Sequence, residues 1–413
     1  MKFVKMSLAA AMLMGATAYA EVTTSGNAQL FYGAVDAGNV DLFDKNGAFG
    51  NASGSLDVEY KTESGVVAKV GATYLTTLGL EGTLVGATWA GNTVEDQLWI
   101  DEASLTFMAT DKTAVILGRQ YLDTPLAFSE TWNIVSNSMD AAVVANTDIP
   151  DTTLIGAFVG RGNGSSGFQV VDNNADLNLG GNYNKYGTAI ANAVGLPLNP
   201  NGAFAAGLVT AAVPMTTLQA WYYNVVNLAA AYWLQADMNV ADSGVTFGAQ
   251  YASMDPSHFV DDAAGAKIDE TTAYAFKIGF APKDTALTLS AAFSNLDDGN
   301  SPIQMANTAT GAMGGAQSKL YTEAWWNFGY VGCSGTSAYN VTAEYGADIA
   351  DFGAYFTATS NDDADVDMTE LTLAVAKSFG ALNASIAYIY TDADDQNGGD
   401  SYNDVQLYLT YNF

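Results

Sequence analysis

The chain has 413 residues, and its 14 Lys plus Arg against 44 Asp plus Glu give a net charge of −30. A surface this acidic repels nucleic acid and other polyanions. Hydrophobic residues make up 49% and aromatics 12%, too many for a disordered chain.

Residues 1–20 read as a secretory leader. Lys2 and Lys5 give the positive start, 6–17 is a short apolar run, and Ala18-Tyr19-Ala20 fits cleavage before Glu21. Removing it would leave 21–413 as a single domain and, with two lysines gone, take the charge from −30 to −32. After it, no stretch holds the ~18 uninterrupted apolar residues of a spanning helix. A membrane β-barrel stays open, because its strands alternate and are only weakly hydropathic. Cys333 is the single cysteine, expected to be an inert loop thiol.

From residue 21 onward, strand-like stretches follow one another. The first is 24–36, with Ala28, Leu30, Tyr32 and Ala34 on one face. The second, 53–62, sets Leu56, Val58 and Tyr60 against Asp57, Glu59 and Lys61. A tight turn leads to 66–75 and a Gly- and Thr-rich loop to 98–109. There Ala103, Leu105 and Phe107 oppose Glu102, Ser104 and Thr106. A turn at Thr110-Asp111 leads to 112–120.

Residues 121–138 break the rhythm. Their apolar set (Leu122, Leu126, Phe128, Trp132, Ile134, Val135) is out of strand register and too greasy for bulk water. This segment is expected to fold into the barrel mouth and narrow it, with Glu130 and Asn133 lining the passage. Strands resume at 139–149 and 153–161. A long loop, 162–202, precedes 203–212, 217–226, 228–239 and 245–254. The next pair is 271–281, with Tyr274, Phe276, Ile278 and Phe280 out and Lys277 in, and 285–295. A second long loop, 296–336, holds Trp325, Trp326 and Cys333. Then come 337–347, 351–360, 366–378, 381–391 and 401–413. In the last, Val405, Leu407, Leu409, Tyr411 and Phe413 oppose Asp404, Gln406, Tyr408, Thr410 and Asn412.

Eighteen strands with very short connections alternating with long ones predict an all-β fold: a transmembrane antiparallel barrel, sixteen strands being the alternative. A closed sheet satisfies every backbone polar group in lipid and has no edge. Eighteen strands leave a lumen wide enough for water. Tyr60, Tyr74, Tyr251, Tyr388, Tyr390, Tyr402 and Tyr411, towards strand ends, are expected in interfacial girdles.

Arg119 and Arg161 are the only arginines. Both end strands that flank 121–138. Opposed to Glu102, Glu130, Asp140 and Asp148, they would set a transverse field across a constriction, since rings of charge select ions in aqueous pores. Other candidates carry less. His258 is the one histidine and lies in a turn-rich loop, so neither a serine hydrolase nor a zinc site is supported. The acidic runs near Asp297, Asp362 and Asp392 lack the twelve-residue calcium-loop pattern and would at most hold divalent cations loosely.

The runs Gly118-Arg119-Gln120 to Thr124-Pro125, Asn133 to Asn137 and Asp148 to Leu154 resemble the constriction region of OprD-type outer-membrane porins. Together with Leu320 to Asn327 and Trp221-Tyr222-Tyr223, they are more similar still to the major porins of Campylobacter-like bacteria. The resemblance implies an eighteen-stranded barrel with an inward third outer loop, a homotrimer, and passive diffusion of small hydrophilic solutes. It departs where Asn133 stands in place of a substrate-holding arginine. No cofactor is expected beyond a loosely held divalent cation such as calcium. The expected function is a cation-preferring porin in contact with outer-membrane lipid. The alternative is a barrel serving as adhesin or structural protein through the loops 162–202 and 296–336.

Overall fold

A computed structural model describes residues 21–80, 82–86, 96–132, 134–164, 181–188, 191, 200–310 and 316–413. The expected leader, Asn133 and most of the 162–202 loop lie outside them.

Eighteen staves close a barrel. In chain order they are β1 (Glu21–Val35), β2 (Ala48–Lys61), β3 (Val67–Thr76), β4 (Gln97–Thr110), β5 (Thr113–Gln120), β6 (Met139–Asn146) and β7 (Thr152–Gly162). After a two-residue ladder on β7, β8 (Asn184–Lys185), come β9 (Ala203–Val213), β10 (Thr216–Val225), β11 (Ala229–Val240), β12 (Val245–Pro256) and β13 (Thr271–Phe280). The rest are β14 (Leu287–Leu296), β15 (Thr336–Gly346), β16 (Asp351–Asn361), β17 (Val366–Phe379), β18 (Leu382–Ala393) and β19 (Tyr402–Asn412). Each stave pairs antiparallel with the next, and β19 pairs with β1 to close the wall. Every strand expected from the two-residue period is present. The largest boundary changes are β2, which begins at Ala48 rather than 53, β1, which begins at Glu21 rather than 24, and β6, which ends at Asn146 rather than 149.

Residues directly opposite across a ladder point to the same face, so the register sorts the wall into outside and lumen. Leu56, Tyr60, Leu105, Phe276 and Ile278 are among a belt of large exposed apolar side chains on the outside. In a bilayer this belt meets hydrocarbon. Lys277 points inward, its Nζ 5.7 Å from the Tyr321 ring centroid. Tyr60, Tyr74, Tyr251, Tyr388 and Tyr411 lie exposed in the outer belt. Tyr402 does not. It shares a face with Asp404 and Gln406, and its hydroxyl bonds Gln396 inside the rim.

The register slips in four ladders, and two of these slips bear on the lumen wall and its rim. In β4 the register slips between Gly71 and Ala72, so Glu102 faces Gly71, Ile100 faces Ala72, and Asp101 is the extra residue. In β7 it slips between Asp140 and Ala141, and Gly160 is the extra residue. A bulge lets consecutive residues point to the same side.

Candidate functional site

The lumen is divided. Along β5–β7 and β9–β12 many inward residues are apolar, among them Ile116, Val143, Ile155, Val159, Trp221, Tyr223, Trp233 and Met254, with Gln235, Asp237 and Gln250 as polar exceptions. A wall of that kind leaves water poorly bonded and favours cover. Leu122, Leu126 and Ala127 of the 121–138 loop, with Ile303, Met305 and Leu320 of the 297–335 loop, pack on it in one cluster. The first loop was expected inside. The second was expected outside, as a working part of the adhesin alternative, and it also folds into the barrel.

The two loops are joined through Glu130. Its Oε1 accepts from Asn307 Nδ2 at 3.1 Å, Thr310 Oγ1 at 2.7 Å and the Gln317 N–H at 3.0 Å. Oε2 accepts from Trp132 Nε1 at 2.8 Å. Beside it Asn307 takes the Phe128 N–H at 3.0 Å and donates to the Phe128 carbonyl at 2.8 Å. Glu130 is 6% exposed, so it ties the plug together and does not present an open carboxylate to the passage. Trp132 stands at the plug's edge, its ring 5.7 Å from that of Trp326 and 5.9 Å from that of Phe328.

Glu370 of β17 is the second anchor and is 1% exposed. It accepts the Trp325 N–H at 2.8 Å, the Trp326 N–H at 3.2 Å and the Asn327 N–H at 2.7 Å. Successive backbone N–H groups around one carboxylate form an anion nest. Tyr321 reaches the opposite wall, donating its hydroxyl to Asp237 at 2.6 Å. A buried carboxylate needs such donors, because its desolvation is otherwise uncompensated.

The wall along β2–β4 is polar. The inward faces of β2–β4 carry Asp57, Glu59, Lys61, Lys69, Asp101 and Glu102. Lys69 pairs with Glu102 and lies 3.8 Å from Asp57. Asp101 Oδ2 accepts from Thr73 Oγ1 at 2.8 Å and from the Tyr121 hydroxyl at 2.7 Å. Burial, and then the charge on Asp101, holds the Tyr121 phenol well above its usual range.

The arginines are elsewhere. Arg119 pairs with Ala103 and Asp140 in the ladders, and Asp140 with Arg161. That row shares a face with exposed Leu105 and Leu117, so it points outward at the rim. Arg119 Nε donates to Asp140 Oδ1 at 2.8 Å, Arg161 Nη2 lies 3.0 Å from Asp140 Oδ2, and the Arg119 guanidinium lies 3.3 Å from the Tyr183 ring centroid. The expected transverse field is therefore not formed by Arg119, Arg161 and Asp140, which pair with one another off the lumen, two cations on one carboxylate. Asp148 lies farther still. It sits in the short β6–β7 turn at the opposite end, accepting from Asn146 Nδ2 at 2.7 Å. Of the expected residues that the structure describes, only Glu102, Glu130 and Trp132 stand on the inner side. Among the described residues no group of three or more His, Cys, Asp or Glu is arranged to hold a metal ion.

No protein-family model and no curated protein matches the sequence. Solved structures do match. Pseudomonas aeruginosa OccK3 (OpdO) is 12% identical with a TM-score of 0.70, covering 95% of this chain and 96% of that one. Pseudomonas aeruginosa OccK8 (OprE) is 15% identical with a TM-score of 0.69, covering 95% and 98%. A BenF-like porin from Pseudomonas fluorescens Pf-5 is 13% identical with a TM-score of 0.71, covering 96% and 100%. At these identities the likeness is one of architecture, and the chain has the eighteen-stranded barrel fold of OprD-type porin structures.

Proposed function

We propose that the chain is an outer-membrane porin through which ions and small hydrophilic solutes diffuse passively, with cations favoured. The divided lumen carries the reading: a plug stands on the more apolar half-wall, and the wall along β2–β4 beside it is polar and acidic. On β2–β4 that wall holds four carboxylates (Asp57, Glu59, Asp101, Glu102) against Lys61 and Lys69. Both arginines turn away from it. Fixed negative charge beside a narrow aqueous path raises the local cation concentration. Diffusion down a gradient needs no covalent step. The closer kinship to the major porins of Campylobacter-like bacteria, and with it a homotrimer, is supported by the sequence stretches alone.

The test is planar-bilayer conductance of the purified protein under a potassium chloride gradient. Stable channels with a cation-selective reversal potential are expected. Absence of channels would overturn the porin reading, and an anion-selective potential would overturn the preference while leaving the pore.

A further inference from the structure

We propose that the outward row Arg119, Asp140, Arg161 and Lys185 docks the phosphate of an anionic lipid headgroup in the outer leaflet. The docking requires the barrel to stand in an outer membrane and does not depend on its conducting.

The ladders of β5 to β8 build the row. Arg119 lies opposite Asp140, Asp140 opposite Arg161, and Arg161 opposite Lys185. Neighbouring strands are about 4.8 Å apart, so the four residues span roughly 14 Å along the wall. They face outward, as exposed Leu105 and Leu117 do, at the end of the barrel that carries the long connections. In barrels of this kind that end is the outer one. Both arginines of the chain are here. On the same outer surface, towards the short turns, Leu117, Val144, Phe158 and Phe204 are exposed, the last two rings 5.0 Å apart. Cations above an apolar strip match an amphiphile whose chains lie on the strip and whose phosphate reaches the row.

Three cations share one carboxylate, and Arg119 already serves it. Arg119 Nε donates to Asp140 Oδ1 at 2.8 Å and Nη2 to Oδ2 at 3.4 Å. Nη1 donates to the Ile100 carbonyl, and the Tyr183 ring covers the guanidinium, which fixes it in place. The charge of Asp140 is thus matched by a buried-side partner, and Arg161 and Lys185 bring two further cations. The Arg161 side chain is 59% exposed, with Nη2 3.0 Å from Asp140 Oδ2. A guanidinium has five N–H donors, so most of this one remains for another acceptor. Lys185 is exposed, donates to Asn201 Oδ1 at 3.3 Å and makes no ion pair among the described residues. A guanidinium fork beside an ammonium is a phosphate-binding set, the first bidentate and the second a point charge. Cations on the outer face of a barrel are tolerated best near the interface, where anionic headgroups attract them.

The test is native mass spectrometry of the purified barrel in detergent micelles. The probe is dioleoylphosphatidic acid, whose headgroup is a bare phosphate, with dioleoylphosphatidylcholine as comparison. Phosphatidic acid should be retained and phosphatidylcholine far less. Arg161→Gln combined with Lys185→Gln should weaken retention about thirty-fold, the loss expected for two cations at a lipid surface. Lys185→Gln alone should weaken it about five-fold, and it serves if the double variant does not fold. Lys377→Gln, which removes an exposed cation near the short-turn end of β17, should leave retention unchanged. Equal retention of the two lipids, or retention unchanged in the Arg161 and Lys185 variants, would overturn the docking site. Displacement of the lipid by a large excess of inorganic phosphate would overturn the headgroup assignment in favour of a free anion. A lower oligomeric mass in the double variant, with lipid retention unchanged, would overturn it in favour of contact between copies.

Discussion

Asn327 gives Oε2 of Glu370 two hydrogen bonds, from its backbone N–H at 2.7 Å and from its side-chain amide at 2.9 Å. The contact joins residues on the plug and on the wall. Replacing Glu370 with Gln puts an amide among donors that require an acceptor. The loss should be about 1–3 kcal/mol per unsatisfied group, and the 325–327 segment should loosen. Single-channel records should then show larger or noisier conductance, with the barrel still resistant to denaturant. Unchanged conductance and noise would count against Glu370 as the anchor.

Glu130 and Asn307 should be coupled. Each single alanine substitution removes a shared bond, and the double substitution should cost less than the sum of the two. An interaction energy of about 0.5–3 kcal/mol is expected for residues in one buried network. A double-mutant cycle on thermal unfolding measures it, and additivity would mean that the loops are joined elsewhere.

Arg119→Ala and Arg161→Ala should leave the reversal potential nearly unchanged, because both side chains lie off the lumen. Their stability effects should differ. Arg161 is 59% exposed beside Asp140, and exposed ion pairs contribute little, whereas Arg119 is 20% exposed and makes more bonds. A clear gain in cation selectivity in either variant would place that arginine in the passage.

Neighbours in β13 should respond oppositely to charge. Phe276→Arg puts a cation in the outer belt and should destabilise the barrel by about 2–4 kcal/mol if it lies near the bilayer midplane. Lys277→Gln, one residue on and facing the lumen, should cost less than that and change conductance instead. Urea titration of folding into lipid vesicles compares the two.

The staves were legible because a two-residue period survives in each, as in Phe276, Lys277 and Ile278. The inward turn of 121–138 was legible because Leu126, Phe128 and Trp132 are too apolar for open water. The same criterion, applied to Ile303, Met305, Leu320, Trp325 and Trp326, would have placed 297–335 inside too. Its partners are distant in sequence, however, and Glu370 looks like any lumen acid until the loop meets it. The orientation of the arginines was hidden for a different reason. Alternation in β5–β7 is weak because both faces are apolar, and a one-residue bulge at Gly160 leaves no mark in the pattern. Glu130 could be seen as functional, but not as a buried knot, since three of its four side-chain donors come from a loop more than a hundred residues away.

The seam between β1 and β19 sets Asn27 opposite Asn412. Nearly every other ladder joins strands adjacent in sequence and can zip as a local hairpin. This one spans almost the whole chain, and a contact so distant is paid for in loop entropy before it returns anything. Assembly should therefore be quick along the wall and slow at its last join. Until then two unpaired edges coexist, each with the register of the other. At high concentration the competing event is not random aggregation but exchange, with β19 of one copy sealing against β1 of another.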